Sequence, residues 1–139
     1  MAKPQAGDIW RYPYLWSWQA ALGETEGRKD RPVTLAAVLP VEGDETRLFL
    51  LPITGTEPMA EQDALLIPAM EIRRAGLADF KCLWVIFDDH NRDTLETSFY
   101  FEPGAKIGAF SKAFRNEVAI RFIAAYRAGG NAAGTRRND

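Results

Sequence analysis

The chain has 139 residues, of which 47% are hydrophobic and 26% are charged, and these proportions are ordinary for a single globular domain with its own core. The formal net charge of −2 argues against strong non-specific nucleic-acid binding by the whole chain, because phosphate contacts usually leave a basic footprint. Cys82 is the single cysteine, which excludes an internal disulfide, and the lack of an apolar leader or a run of about 20 apolar residues predicts a cytoplasmic protein with no membrane partner.

The first predicted element is an aromatic-rich segment, Ile9–Gln19. Its alternation is typical of a strand, and Pro13 places that strand at an edge or ends it, because proline lacks an N–H group. Alternation puts five aromatic side chains on one face: Trp10, Tyr12, Tyr14, Trp16 and Trp18. Such a row can stack nucleic-acid bases, although it more often forms a core or a dimer face. Trp16 and Trp18 are furthest from the strand start, so we expect them to be the exposed pair.

A charged loop, Leu22–Asp30, leads into the clearest hairpin of the sequence. Arg31–Pro40 is an apolar run typical of a buried strand, Val41–Glu45 is a turn, and Thr46–Thr54 is the returning strand. We therefore predict that these two strands pair in antiparallel fashion.

Shorter elements follow the hairpin. Apolar runs and alternation predict three more strands, at Ala64–Ile67, Leu83–Phe87 and Leu95–Phe101. Ala69–Lys81 is interpreted as a short helix or a turn, and Asp88–Asp93 as a polar break.

The last predicted element is a helix over Ser111–Ala128. The Ser111 hydroxyl can cap the first turn, and the glycines after Ala128 end the helix. One apolar stripe faces the core: Phe114, Val118, Phe122, Ala125 and Tyr126. Ile120 lies on the opposite side, which, together with the aromatic first strand, favours a homodimer.

These elements predict one mainly β domain over residues 1–128. Six or seven short strands and a terminal helix are typical of a small, mostly antiparallel barrel. Residues 129–139 are expected to form a disordered tail.

Three side chains suggest a phosphodiester-cleaving site without metal ligands. Arg31 opens the first hairpin strand, Thr54 ends the second, and Glu26 precedes Arg31 by five residues. Paired strands would hold Arg31 and Thr54 close together, and the loop would bring Glu26 towards them. A carboxylate, a guanidinium and a hydroxyl can activate a nucleophile and stabilise a phosphorane.

The order of these motifs resembles the PemK/MazF family of toxin endoribonucleases. The matching motifs are Gly7-Asp8-Ile9, Glu26, Arg31-Pro32-Val33, Ile53-Thr54 and Ile107-Gly108-Ala109-Phe110-Ser111. The resemblance implies an SH3-like barrel of the PemK/MazF/CcdB toxin type with a C-terminal helix. It also implies a homodimer that cleaves single-stranded RNA and is inhibited by an antitoxin protein.

The resemblance also implies a role for each site residue and no cofactor. Arg31 would contact the scissile phosphate, Thr54 would donate to a phosphate oxygen, and Glu26 would deprotonate the RNA 2′-hydroxyl, which gives a 2′,3′-cyclic phosphate. The alternative interpretations are an ordinary ion-paired arginine, a strand-end threonine bonded to the backbone and a solvated loop glutamate. Candidate RNA-binding residues are Trp16, Trp18, Arg28, Lys29, Asn91 and Arg92.

Two other functions are compatible with the sequence. A non-catalytic SH3-like barrel could bind protein or nucleic acid through the aromatic loop. A metal site or acid–base group at His90, beside Asp88 and Asp89, has no characteristic ligand spacing, and a solvated turn is the favoured interpretation of His90.

Overall fold

The structure is a computed structural model that describes residues 3–77, 82–129 and 134–137. These residues form eight strands and three α-helices, so the fold is mainly β. The strands are β1 Asp8–Tyr12, β2 Arg31–Val41, β3 Glu45–Thr54, β4 Ala64–Leu66, β5 Trp84–Ile86, β6 His90–Thr94, β7 Lys106–Ala109 and β8 Gly134–Arg136. The helices are α1 Ser17–Ala21, α2 Ala69–Arg74 and α3 Lys112–Arg127. Within the described ranges, no helix combines the length and the apolar content that crossing a bilayer requires.

The strands form one open sheet that is antiparallel except at one pair. Its order is β4-β5-β3-β2-β1-β7, and β6 pairs with both β3 and β8. The β6–β8 pair is parallel. The central strand β3 pairs with β2 on one side, and on the other side with β6 near its start and β5 at its end. This topology places the end of β3 beside β5, and its start beside β6.

The predicted hairpin is confirmed. Strands β2 and β3 pair from Val33 opposite Pro52 to Val41 opposite Glu45, with a register shift between Leu35 and Ala37. The hairpin is buried on both faces, because consecutive side chains of a strand point to opposite sides. Side chains at Phe49, Leu51 and Ile53 enter the core under α3, whereas Leu48 and Leu50 join a second core with Trp10, Tyr12, Tyr14 and Phe101.

The predicted C-terminal helix is also confirmed. Phe114, Val118 and Phe122 are its buried residues. The Ser111 hydroxyl accepts a hydrogen bond from the Phe114 N–H at 3.2 Å, which satisfies one of the free donors of the first turn. Ile120 stays 68% exposed, as its place off the apolar stripe predicts.

The predicted strand at Leu95–Phe101 is wrong. The chain turns there, because the Ser98 hydroxyl donates to Asp93 at 2.6 Å and accepts from the Phe101 N–H at 2.8 Å. Such local side-chain bonds compete with a strand ladder. The strand lies instead in the segment predicted to be a polar break, where residues 90–94 form β6.

Two further predictions need correction. The aromatic strand does not continue to Gln19, because β1 ends at Tyr12, before Pro13, and α1 begins at Ser17. The prediction of a disordered tail is wrong for residues 134–137, because β8 occupies 134–136 and Arg137 is only 8% exposed. The predicted disorder at 130–133 and 138–139 lies outside the described residues.

Candidate functional site

Arg31 and Thr54 meet where β2 begins and β3 ends. Val33 pairs with Pro52, and continuing this antiparallel register by two residues sets Arg31 opposite Thr54. Both residues line a cavity of about 580 Å³, which we call the Arg31 groove. Its lining includes Trp16, Trp18, Arg31, Thr54, Asp88 and Asp89. The predicted proximity of the arginine and the threonine is thus present in the structure.

The Arg31 guanidinium stacks on an indole ring. Its central carbon lies 5.2 Å from the ring centroid of Trp16, a separation at which a cation is attracted to an aromatic face. The Arg31 Nε is enclosed and has no hydrogen-bond partner among the described residues. Burial lowers the pKa of Arg31, but a guanidinium stays charged in proteins. A guanidinium held by an aromatic ring at the wall of a groove favours an anionic ligand.

The predicted RNA-binding residues of the aromatic loop gather around this arginine. Trp16, Trp18, Arg28, Lys29 and Arg31 all line one adjoining cavity. Trp18 is 51% exposed, and the Arg28 guanidinium lies 4.9 Å from its ring centroid. Arg28 also pairs with Glu24 at 2.8 Å. Of the predicted exposed pair, Trp18 is exposed and Trp16 is half-buried against the aromatic core, and α1 rather than strand alternation positions Trp18.

A buried carboxylate anchors the aromatic loop. Asp89 accepts hydrogen bonds from the Tyr14 hydroxyl and from both the hydroxyl and the N–H of Ser17, the last two at 2.6 and 3.1 Å. Burial raises the pKa of Asp89, and the bonds from Ser17 and Tyr14 oppose that rise. The network ties the residues on both sides of Trp16 to the entry of β6. It is a positioning network that sequence reasoning missed.

The Thr54 hydroxyl already has a structural role. Its oxygen accepts a hydrogen bond from the Thr56 N–H at 3.1 Å, as in the backbone-bonded interpretation. The hydroxyl proton remains able to donate to a ligand, because a threonine hydroxyl both donates and accepts. Both interpretations of Thr54 are therefore compatible with the geometry.

Glu26 is not brought to the groove. It is exposed in the loop before β2, and it is not among the described residues that line the Arg31 groove or the two adjoining cavities that Arg31 also lines. The acidic lining residues of the groove are Glu57, Asp88 and Asp89. Asp89 is occupied by its network, whereas Asp88 is exposed, and among the described residues it accepts only a long hydrogen bond, from the Asp63 N–H at 3.4 Å. Asp88 is a carboxylate that sequence reasoning did not assign to this chemistry.

Asn91 serves the fold. It is fully buried, its side-chain oxygen accepts from the Leu15 N–H at 2.9 Å and from Arg137 at 3.0 Å, and its amide donates to the Leu15 carbonyl at 2.6 Å. These bonds tie the aromatic segment to β6 and leave no accessible group for RNA. Arg92 lies elsewhere, in a cavity with Arg47 and Arg136.

The interpretation of His90 as a solvated turn is wrong. Its side chain is 1% exposed and packs near Phe49, Phe122 and Tyr126, with ring centroids 5.4 to 5.9 Å apart. Burial, and secondarily the charge of Arg92, lowers the pKa of His90 to about 4. No group of three or more potential metal ligands occurs among the described residues.

The Arg31 groove combines a stacked cation, a hydroxyl, two indole rings and two exposed carboxylates, Asp88 and Glu57. The comparisons with protein-family models, with curated proteins and with solved structures find no match for this chain. The functional interpretation therefore rests on the geometry of this groove and on the chemistry that its side chains permit.

Proposed function

We propose that this protein is a metal-independent endoribonuclease toxin of a type II toxin–antitoxin system, with the SH3-like barrel of the PemK/MazF/CcdB toxin type. The observation that supports it best is that Arg31 and Thr54 line one groove with Trp16 and Trp18. Single-stranded RNA is the substrate, and a cognate antitoxin protein blocks the groove in the inhibited state.

The groove has the parts that single-stranded RNA needs. Bases stack on Trp16 and Trp18, and each such contact contributes about 1–3 kcal/mol without sequence preference. Arg28, Lys29 and Arg31 supply positive charge beside these rings. These three cations make the surface locally basic, although the net charge of the whole chain is −2 and by itself disfavours nucleic-acid binding.

Cleavage requires only proton transfer and charge stabilisation. A carboxylate removes the 2′-hydroxyl proton, the 2′-oxygen attacks phosphorus, and the bond to the 5′-oxygen breaks. Solvent water protonates the leaving 5′-oxygen, so the products are a 2′,3′-cyclic phosphate and a 5′-hydroxyl, and the carboxyl returns its proton to solvent. The Arg31 fork stabilises the phosphorane, and the Thr54 hydroxyl donates to a non-bridging oxygen. The exposed carboxylates that line the groove are Asp88 and Glu57; we assign the base to Asp88, and Glu26 remains the base that the resemblance implies.

A second function has its own support. The predicted base Glu26 lies outside the groove, whereas the stacking and cationic groups lie inside it. A non-catalytic barrel that binds nucleic acid or protein through the aromatic loop would keep the rings and the arginine and would need no base.

Variants measured for both RNA affinity and cleavage rate, in EDTA, distinguish these functions. We expect Asp88→Asn to lower the rate about 100-fold or more, the usual contribution of a general base, while Glu26→Gln lowers it less. Thr54→Ala loses one neutral hydrogen bond and should cost about 0.5–1.5 kcal/mol, or roughly 2- to 10-fold. Asn116→Ala, on the exposed face of α3, is the control.

The variant measurements have three distinguishable results. If Glu26→Gln lowers the cleavage rate more than Asp88→Asn does, the base is Glu26, as the resemblance implies. RNA binding that depends on Trp16 and Arg31, with no cleavage by pure wild-type protein, favours the binding module. Metal-dependent cleavage would contradict both proposals.

A further inference from the structure

Three arginines converge on a small cavity far from the Arg31 groove. Arg47 of β3, Arg92 of β6 and Arg136 of β8 line a cavity of about 130 Å³ together with Asp93 and Thr94, which we call the arginine cavity. Arg92 pairs with Arg136, and Arg47 with Thr94. Because Arg92 also pairs with Phe49, two residues after Arg47, the three arginines share one face of the sheet.

The cavity carries more positive than negative charge. Neither Arg47 nor Arg92 forms an ion pair with another described residue. Arg47 and Arg92 line the same cavity, and two positive charges held close together repel each other. An arrangement of this kind is stabilised by an anion between the guanidinium groups.

The one carboxylate of the cavity is already used. One oxygen of Asp93 accepts from the Tyr12 hydroxyl at 2.7 Å and from the Ser98 hydroxyl at 2.6 Å, and the other accepts from the Thr94 N–H at 2.8 Å. Asp93 follows Arg92 in β6, so its side chain belongs to the other face of the sheet, where the aromatic core lies. Asp93 therefore does not neutralise Arg47 or Arg92.

We propose that the arginine cavity is a binding site for a phosphate group. Guanidinium forks match phosphate oxygens in bidentate fashion, and the Thr94 hydroxyl can donate a further bond. The site goes beyond the proposed function, because Arg47 precedes Thr54 by seven residues of β3, roughly 23 Å at ~3.3 Å per residue. The phosphate belongs either to a small phosphorylated compound or to the backbone of an RNA strand.

Titration of the full chain with inorganic phosphate tests the site directly. Isothermal titration and the arginine Nε–H resonances should report binding to the wild type. Arg47→Gln should weaken it about tenfold, and Arg47→Glu should abolish it, because each removes charge-assisted hydrogen bonds. Arg47 is exposed, so both variants should fold. Arg74→Gln removes an exposed arginine of α2 and should leave phosphate binding unchanged.

A second titration identifies the source of the phosphate. It uses RNA of about 16 nucleotides, the upper site size of small single-strand-binding barrels, and Arg31→Ala protein, so that cleavage does not interfere. If the RNA backbone occupies the cavity, adding Arg47→Gln weakens RNA binding. It also lowers the slope of log affinity against log salt concentration by about 1. If only inorganic phosphate binding falls, the ligand is a small phosphorylated compound. The proposal is overturned if phosphate binds equally to wild type and Arg47→Glu, or to neither, whatever the cleavage assay shows.

Discussion

His90 couples folding stability to pH. Its ring is buried among aromatic side chains, and burial lowers its pKa to about 4, against 6.5 in the unfolded chain. Between these two pKa values the unfolded chain binds more protons than the folded chain. The contribution of His90 to the free energy of unfolding is therefore complete above about pH 6.5 and is lost as the pH falls below it. We expect a loss of about 2 kcal/mol between pH 7 and pH 5, at ~1.4 kcal/mol per pKa unit, measured by urea unfolding.

The matched variant for this prediction is His90→Leu. Leucine has a similar volume and does not titrate, so the variant should lack this part of the pH dependence, whatever its stability at pH 7. The comparison uses the difference between the two proteins, because carboxylates titrate in both. Equal pH dependence in wild type and variant would contradict the account of His90.

Arg31 and Asn91 show that similar sequence signals can lead to different roles. Both are polar residues in strands that pair with β1 or β3. Arg31 keeps an enclosed Nε without a partner beside an open groove, whereas Asn91 satisfies its hydrogen bonds within the core. Whether each side chain finds hydrogen-bond partners depends on residues far away in the chain, so the sequence alone could not distinguish the two roles.

At the scale of elements, α3 depends on its first turn. Ser111 caps the helix and also contacts Glu71 of α2, whose carboxylate accepts from the Ser111 N–H at 2.8 Å and from its hydroxyl at 2.7 Å. Ser111→Ala should therefore cost at least about 1 kcal/mol of folding stability, the typical value of a lost N-cap. Thermal and urea unfolding followed by circular dichroism measure the loss. Stability equal to that of the wild type would show that neither contact contributes.

Sequence patterns predicted the elements that are stabilised by residues close together in the chain. The β2–β3 hairpin and α3 have long apolar runs or stripes, and both are present at nearly the predicted residues. Strand β6 is polar, and its buried side chains are satisfied by partners far away in the sequence: Asn91 bonds to Leu15 and Asp93 accepts from Tyr12. Strand β8 exists through pairing with β6, a contact across the chain that no sequence window contains.

The candidate site was partly predictable for the same reason. Arg31 and Thr54 sit at the ends of one hairpin, so their proximity followed from strand pairing. The path of the aromatic segment is fixed by Asp89, through bonds to Tyr14 and Ser17, and Glu26, in the loop that follows, is not among the described residues that line the groove. Hydrogen bonds between residues far apart in the chain leave no periodic pattern in the sequence.

At the scale of the whole molecule, the homodimer remains a prediction. The aromatic first strand is buried, so it offers no dimer face. Exposed apolar residues instead lie on α3 and at the end of β2: Ile120, Ile123 and Leu39. We expect light scattering at high micromolar concentration to give twice the chain mass of 15.6 kDa.

Ile120→Glu should shift this protein towards monomer, because it places a charge in an apolar interface. Met70→Glu, at an exposed apolar residue of α2, is the control and should not. A wild-type mass near that of one chain, or dimers that persist in Ile120→Glu, would rule out this interface.

Cleavage of single-stranded RNA by purified protein in EDTA is the direct test of the proposed ribonuclease activity. The wild type should cut the RNA and leave a 2′,3′-cyclic phosphate, and it should leave DNA of the same sequence intact, because DNA lacks the 2′-hydroxyl. Arg31→Ala should lower the rate about 100-fold or more, the usual effect of removing one preorganised donor to a developing charge. Cleavage of the DNA, a requirement for added metal, or full activity in Arg31→Ala would contradict the account.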